Sequence, residues 1–329
     1  MRNAVIKGAG FFAPEKIVPN SFFNEILGED VDTWLRENLT IKERRWCSEN
    51  ESTIDLCLAA AQNAIEDSAI NSSDLDLIIV ATDTPEFISP STASILQHKL
   101  GAEKCGTFDV NTACAGFVTA LDIASKFIIA DENYRNVLIV GAYAMSKYLD
   151  LTDKKTVTLF ADGAGAVVLS SSEKKEKGFL TSRLFTAGEY NSWMGIYAGG
   201  TNKPLTREVL DNKDHLLKFV KKFPKEINPL KWSEMISESC EKIGVKPTDI
   251  SHYFFTQINI NGIWETLDIL GVERSKGYTI MEKYGYTGSA CIPMAFAHAK
   301  EKGIIKENDL VVFMGSGGGL AFANALFKI

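Results

Sequence analysis

The 329-residue chain is poor in histidine, with four, and its six cysteines (Cys47, Cys57, Cys105, Cys114, Cys240 and Cys291) form no C-x-x-C pair. No histidine stands at zinc-finger spacing from a cysteine, so no metal site is expected. Cations are also in deficit: 35 Lys plus Arg against 42 Asp plus Glu leave a formal charge of −7. A protein that tracks nucleic-acid phosphates carries the opposite balance, so a nucleic-acid partner is not expected. No apolar run is evident that approaches the ~18 residues of a membrane span. The opening, MRNAVIKGAGFFAPEKI, has charge but no sustained apolar block, unlike a secretion signal. Together these absences predict a cytoplasmic protein with free thiols and no membrane association. The opening itself reads as a strand that turns at Gly8 and Gly10.

What is present suits a large core. Apolar residues make up 45% and charged residues 23%, and the length fits two lobes or one large α/β body. Apolar runs at 75–81, 136–141, 253–255 and 309–313 read as buried strands. Helical spacing covers 53–70, 114–130, 232–244 and 292–302. Alternation of this kind predicts layered α/β packing. Residues 136–169 and 309–329 each run from a strand through a Gly-rich turn into a second β-type run, as two copies of one unit would. The charged stretch SSSEKKEKG at 170–178 lies between them and divides the chain into halves 1–172 and 173–329, although such a run is also simply a solvated loop. Residues 188–229 show the least periodicity and read as a loop-rich excursion with short helices over a pocket.

The strongest chemical signal is FDVNTACAGF at 108–117. A strand ends near Val110, a turn of small residues follows, and a helix begins at about Cys114. A thiol at a helix start meets the positive end of the macrodipole and free N–H groups, which favour the thiolate. Ala113, Ala115 and Gly116 leave room for a carbonyl, as in the nucleophile elbow of hydrolases. The alternative is an inert packed cysteine, the commoner state of a buried thiol. The loop GSGGG at 315–319 lacks the Lys-Ser/Thr of a phosphate loop. Asp162-Gly163-Ala164-Gly165 reads as a turn within the core.

Taken together, DVNTACAGF, FADGAGAVVL at 160–169, YGYTGSACIP at 284–293, the closing VFMGSGGGLAFANAL and the opening GAGFFAPEKIVPN resemble the β-ketoacyl-acyl-carrier-protein synthase III family of the thiolase superfamily, over nearly the whole chain. The resemblance implies a five-layered α-β-α-β-α sandwich of two duplicated halves, and a homodimer. It implies an acyltransferase without a permanent cofactor, which takes an acyl group from coenzyme A or acyl carrier protein onto Cys114. The group then passes to a malonyl thioester with loss of carbon dioxide. By position, the N–H groups of Cys114 and Gly318 would form the oxyanion hole, a feature worth about 3 kcal/mol per donor.

The motifs also depart from that family. Its His-Gln-x-Asn motif reads Thr256-Gln257-Ile258-Asn259 here, and its Gly-Asn-Thr turn reads Gly285-Tyr286-Thr287. Thr256 and Tyr286 thus stand where a histidine and an asparagine polarise the malonyl carbonyl. None of His98, His215, His252 and His298 is an obvious substitute. A phenol can donate to a developing enolate; Thr256 is the weaker donor. Alternatively both residues plug a disused half-site, and transfer goes to an oxygen, nitrogen or other carbon nucleophile. Asp83 falls where related hydroxymethylglutaryl-CoA synthases carry a catalytic glutamate, so it is read either as an acid–base group or as a turn residue capping a helix. At the coenzyme-A entrance, Trp34 matches a stacking tryptophan and Lys154 a cation, whereas Asn38 and Asn261 replace arginines and weaken phosphate binding. Trp34 is otherwise a helix anchor. Ser89 replaces a phenylalanine that limits acyl length. A non-catalytic role as one half of a heterodimer is the rival reading; the intact Cys114 turn argues against it.

Overall fold

The structure is a computed structural model describing residues 2–329. The chain begins with β1 (Asn3–Phe12), β2 (Ile17–Pro19), α1 (Asn20–Leu27), α2 (Asp32–Leu39), β3 (Glu43–Arg45) and α3 (Thr53–Ser68). It continues through β4 (Leu77–Ala81), α4 (Thr92–Leu100), β5 (Gly106–Val110), α5 (Gly116–Ala130), β6 (Asn136–Ala144), α6 (Lys154–Val157) and β7 (Asp162–Ser172). After β8 (Gly178–Thr186) come β9 (Met194–Gly195), α7 (Arg207–Asp211), β10 (Lys218–Phe219) and α8 (Ile227–Ile243). The chain closes with β11 (His252–Phe255), α9 (Ile260–Ile269), α10 (Met281–Tyr284), α11 (Cys291–Glu301), β12 (Leu310–Gly317) and β13 (Ala321–Lys328).

Two mixed sheets carry the fold, one of order β1-β7-β6-β4-β5 and one of order β11-β12-β13-β8. Helices α5 and α11 lie between them and touch strands of both, α3 and α4 cover the outer face of the first sheet, and α8 covers that of the second. This is the five-layered sandwich expected from the motifs. Strand β4 shows why its sequence is continuously apolar. Leu77, Ile79 and Ala81 face the central layer, Ile78 and Val80 face the outer one, and all five are buried. A parallel strand covered on both faces has no side that tolerates polar residues. Residues 188–229 hold only short elements, as expected.

Several expectations are corrected. The opening strand does not turn at Gly8 and Gly10; β1 runs through both and pairs with β7, with one register shift between Ile6 and Gly8. The glycines instead admit α3, since a Cβ at Gly8 would lie 2.4 Å from Ala64 O and one at Gly10 2.4 Å from Ala64 N. Asp162 to Gly165 open β7 rather than forming a turn. A stretch long and apolar enough for a membrane span does exist, Ala113–Ala130, with mean hydropathy 1.6. It is 67% buried, because a helix packed between two sheets must be apolar nearly all round.

Candidate active site

The nucleophile elbow forms where β5 meets α5. Ala113 adopts φ 46°, a left-handed conformation that small residues enter most easily. Ala115 N donates to Thr112 O (3.1 Å) and Gly116 N to Ala113 O (2.9 Å), which tightens the turn. The Thr112 and Thr119 hydroxyls lie 2.9 Å apart and tie the turn to the helix. The helix begins at Gly116, so Cys114 sits just before it rather than in its first turn. At Gly116 a Cβ would lie 3.2 Å from Ala81 Cβ, which explains how closely the elbow abuts the end of β4.

The end of β12 closes on this elbow from the second sheet. A Cβ at Gly317 would lie 2.4 Å from Cys114 N, and one at Gly315 2.9 Å from Ala115 Cα. Gly318 follows at the rim, where a Cβ would stand 3.4 Å from Met194 O. Neither the Cys114 nor the Gly318 amide donates to a backbone carbonyl of the surrounding turns and loops. Gly317 therefore joins Gly318 as a residue that shapes this corner; sequence matching alone had singled out only Gly318.

The opposite wall is aromatic. The turn 285–290 brings Tyr286 to Cys114, with its hydroxyl in hydrogen-bonding reach of the sulfur. Phe160 and Tyr143 flank the Tyr286 ring at centroid distances of 5.2 and 6.5 Å. Tyr286 is held at both backbone ends, by its N–H to Leu159 O (2.9 Å) and by Ala161 N–H to its carbonyl (2.9 Å). Behind it lies Arg44, fully buried, which donates to Thr158 O (2.7 Å), Asn20 Oδ1 (2.7 Å) and Val18 O (3.1 Å). Burial lowers its guanidinium to about 9.

Thr256 behaves differently from Tyr286. Its hydroxyl donates to Ser316 O (3.2 Å) and accepts from Ser316 N–H (2.9 Å), so it stitches the end of β11 to β12. With both capacities engaged by backbone, it offers no free donor beside the sulfur. Cys114 is 2% exposed and Tyr286 2%. The two residues are thus brought together, but in a sealed centre.

Electrostatics reverses one expectation. Burial pushes the Cys114 thiol well above its ordinary range, and the Asp83 carboxylate adds to the effect, while the Tyr286 phenol opposes it. Cys114 therefore rests as a thiol, because desolvation of a charge outweighs what helix-end dipoles supply. Burial likewise raises Tyr286 and Tyr143, which stay protonated. Cys291 lies in the same centre, pushed up to about 12 by burial. Tyr143 and Cys291 gave no signal in sequence, since each sits in an apolar stretch that reads as core.

Asp83 follows β4 and does not cap a helix. The N-cap of α4 is Ser91, and Asp109 accepts from Thr92 N (2.7 Å) and Ala93 N (2.8 Å) at that end. None of the four histidines replaces the missing one. His98 is exposed on α4, and His252 lies 3.3 Å from Asp309. His298 Nδ1 lies 2.8 Å from the Tyr278 hydroxyl, and His215 belongs to the excursion after β8.

The residues expected at the entrance lie on α2, α6 and α9. Trp34 on α2 is 55% exposed, too open to anchor its helix. One turn on, Asn38 accepts through its carbonyl from Asn261 Nδ2 at 2.8 Å. Lys154 begins α6 and pairs with Glu29 at 2.9 Å. Ser89 is exposed in the loop between β4 and α4. Among the described residues no cluster of His, Cys, Asp and Glu has the geometry of a metal site.

Comparison with known proteins agrees with this construction. The profile for 3-oxoacyl-[acyl-carrier-protein] synthase III matches residues 108–188, and that for its C-terminal region matches 240–329. A β-ketoacyl-[acyl-carrier-protein] synthase III of Aliarcobacter butzleri is 37% identical over 326 residues, spanning 99% of this chain and 97% of its own. One from Staphylococcus haemolyticus is 36% identical, with 99% of each chain covered. The crystal structure of the Aquifex aeolicus synthase III superposes with a TM-score of 0.89 at 31% identity, over 99% of this chain and 100% of that one. The chain belongs to the β-ketoacyl-[acyl-carrier-protein] synthase III family, and is a thiolase-fold acyltransferase.

Proposed function

We propose that the protein accepts an acyl group from a thioester onto Cys114 and passes it to a second substrate. The observation that carries this reading is the Cys114 corner itself, where two backbone amides are left free and glycine at 317 lets β12 touch the elbow. The Cys114 and Gly318 amides would hold the carbonyl oxygen as it gains charge; donors fixed in the backbone need no reorganisation at that moment. The donor is a thioester of coenzyme A or of acyl carrier protein, with no permanent cofactor. The Lys154–Glu29 pair and the asparagines at 38 and 261 favour the carrier protein, because a coenzyme-A phosphate finds its cation already engaged. Trp34, Lys154 and Asn261 are the entrance residues. The two halves are 1–172 and 173–329, and the working unit is a homodimer.

In the second half-reaction the acyl group moves to the carbon of a malonyl thioester as carbon dioxide leaves, with Tyr286 donating to the enolate oxygen. A second reading, transfer to an oxygen or nitrogen nucleophile without decarboxylation, is favoured by the engagement of Thr256 with Ser316, which leaves Tyr286 without a companion donor. Incubation with acyl-carrier protein or acyl-CoA, followed by intact-protein mass measurement, tests the common first step. An acyl adduct is expected on the wild type and not on Cys114→Ala. No adduct from either donor removes the catalytic reading and leaves the heterodimer-partner role. Release of labelled carbon dioxide from malonyl thioester then separates the two second steps.

A further inference from the structure

The sealed centre is built round three rings. Tyr286, Phe160 and Tyr143 close a triangle with centroid separations of 5.2, 6.3 and 6.5 Å, so each ring flanks the other two. Tyr143 is only 1% exposed. The rings are anchored differently. Phe160 is tied to Tyr286 through the main chain, by the Tyr286 N–H to Leu159 O and the Ala161 N–H to Tyr286 O, both 2.9 Å. Tyr143 stands near the end of β6, the middle strand of the first sheet, where it pairs with Gly163 of β7.

The turn that carries Tyr286 is seated on that strand residue by residue. A Cβ at Gly141 would lie 2.4 Å from Ser289 O, and the Ser289 hydroxyl donates to Ala142 O at 2.7 Å. A Cβ at Gly288 would lie 2.4 Å from the Tyr143 ring. Gly288 also has φ 47°, so its conformation and the ring beside it both exclude a side chain. Tyr143 therefore bears on the turn twice, at the Gly288 backbone and at the Tyr286 ring two residues earlier.

The Tyr286 backbone is fixed from the 159–161 side, but its ring turns on two bonds, and staggered wells compete unless neighbours fill them. The ring presents its hydroxyl to the Cys114 sulfur. Phe160 belongs to the same backbone pairing as Tyr286, whereas Tyr143 comes from an independent strand. We propose that Tyr143 is a positioning residue which, by packing on Gly288 and against Tyr286, holds the Tyr286 hydroxyl at the Cys114 sulfur; its catalytic meaning rests on the acyl-cysteine reading above. A donor held in one orientation needs no reorganisation as charge gathers on the sulfur. Asp162 and Asp83 also lie about Tyr143. Asp162 accepts from Cys47 N–H and from Ser146, and Asp83 Oδ1 is sealed from solvent without a hydrogen-bond partner. Packing, rather than a hydrogen bond to these oxygens, sets the Tyr143 ring.

The test is a double-mutant cycle read by the rate of Cys114 alkylation with iodoacetamide at pH 8, followed by peptide mass on the full chain. Tyr286→Phe deletes the donor at the sulfur and should slow alkylation about 10-fold. With Tyr143→Leu already in place, the same substitution should change the rate by less than about 2-fold, because the donor is no longer held there. Each comparison is made within one background, so a change in access to the centre cancels. If Tyr143 is core packing and nothing more, Tyr286→Phe keeps its full effect in both backgrounds, and that result overturns the proposal. So does a Tyr286→Phe chain that reacts at the native rate. Tyr143→Phe keeps the ring, and the effect of Tyr286→Phe should survive it; loss of that effect would assign the role to the hydroxyl and overturn the ring contact. Should Tyr143→Leu not fold, Tyr143→Met removes the ring and carries the same expectation. Iodoacetamide needs no acyl donor, so coupling between Tyr143 and Tyr286 without any acyl adduct would sink the acyltransfer reading and leave the positioning role standing.

Discussion

The two walls around Cys114 are built from different material. On one side, the elbow and the end of β12 use backbone: free amides, small residues, and glycines at 315 and 317 where any side chain would collide. On the other, Tyr286, Tyr143 and Asp83 use side chains buried in an aromatic setting. The first wall suits any thioester, because an oxyanion asks only for fixed N–H groups. Under the proposed function, the second wall would set the proton inventory and the acceptor chemistry, with Tyr286 in place of the asparagine that the motif resemblance implies. Acyl loading and acyl delivery can thus diverge independently, since they draw on separate structural resources.

That separation can be broken from either side. The largest effect is expected for Gly317→Ala, whose Cβ would fall 2.4 Å from Cys114 N. Displacing that amide should cut acyl loading by about 100-fold or more, measured by single-turnover mass spectrometry. Loading at the native rate would show that the backbone wall is not the oxyanion site. Tyr286→Phe keeps the ring packing and deletes one donor at the sulfur. A hydrogen bond to a charged group contributes about 1.5–3 kcal/mol, so loading should fall by about 10-fold or more. An unchanged rate would reduce Tyr286 to a plug.

Asp83 also sharpens the contrast through stability. Burial raises its carboxyl to about 6 from an ordinary 3.8, so the folded state binds the proton more tightly than the unfolded one. Its contribution is fully present below pH 3.8 and is lost as pH rises through 6. Asp83→Asn should therefore raise the melting temperature at pH 7.5 by about 2 °C or more, with the gain fading towards pH 4. A gain that is constant with pH would contradict the assignment. The smallest effect belongs to the entrance: Glu29→Ala frees Lys154 and should lower KM for acyl-CoA by about threefold while leaving kcat unchanged. No change would mean that coenzyme-A phosphates do not reach Lys154.

Much of the fold was readable because buried strands and helices leave strong patterns. The run at 75–81, the helix at 53–70 and the irregular excursion after residue 188 all emerged close to expectation. Glycines were harder. Gly8 and Gly10 looked like turn residues, yet their purpose is the approach of α3 to β1, a contact between segments more than fifty residues apart. Thr256 and Tyr286 looked equivalent as replacements. Only the partners around them revealed that one is consumed by the Ser316 backbone while the other reaches the sulfur.

The sequence by itself determined the layered α/β plan, the small-residue turn that carries Cys114, and the threonine and tyrosine at 256 and 286. Each follows from local pattern: apolar period, small residues before a helix, identity at a motif position. The tertiary structure alone decided the protonation state of Cys114 and the isolation of Asp83. Charge energies depend on how much water is excluded and on which groups from distant segments share the space. The helix-end dipole legible in the elbow is a weak local term beside the desolvation imposed by two sheets closing over it.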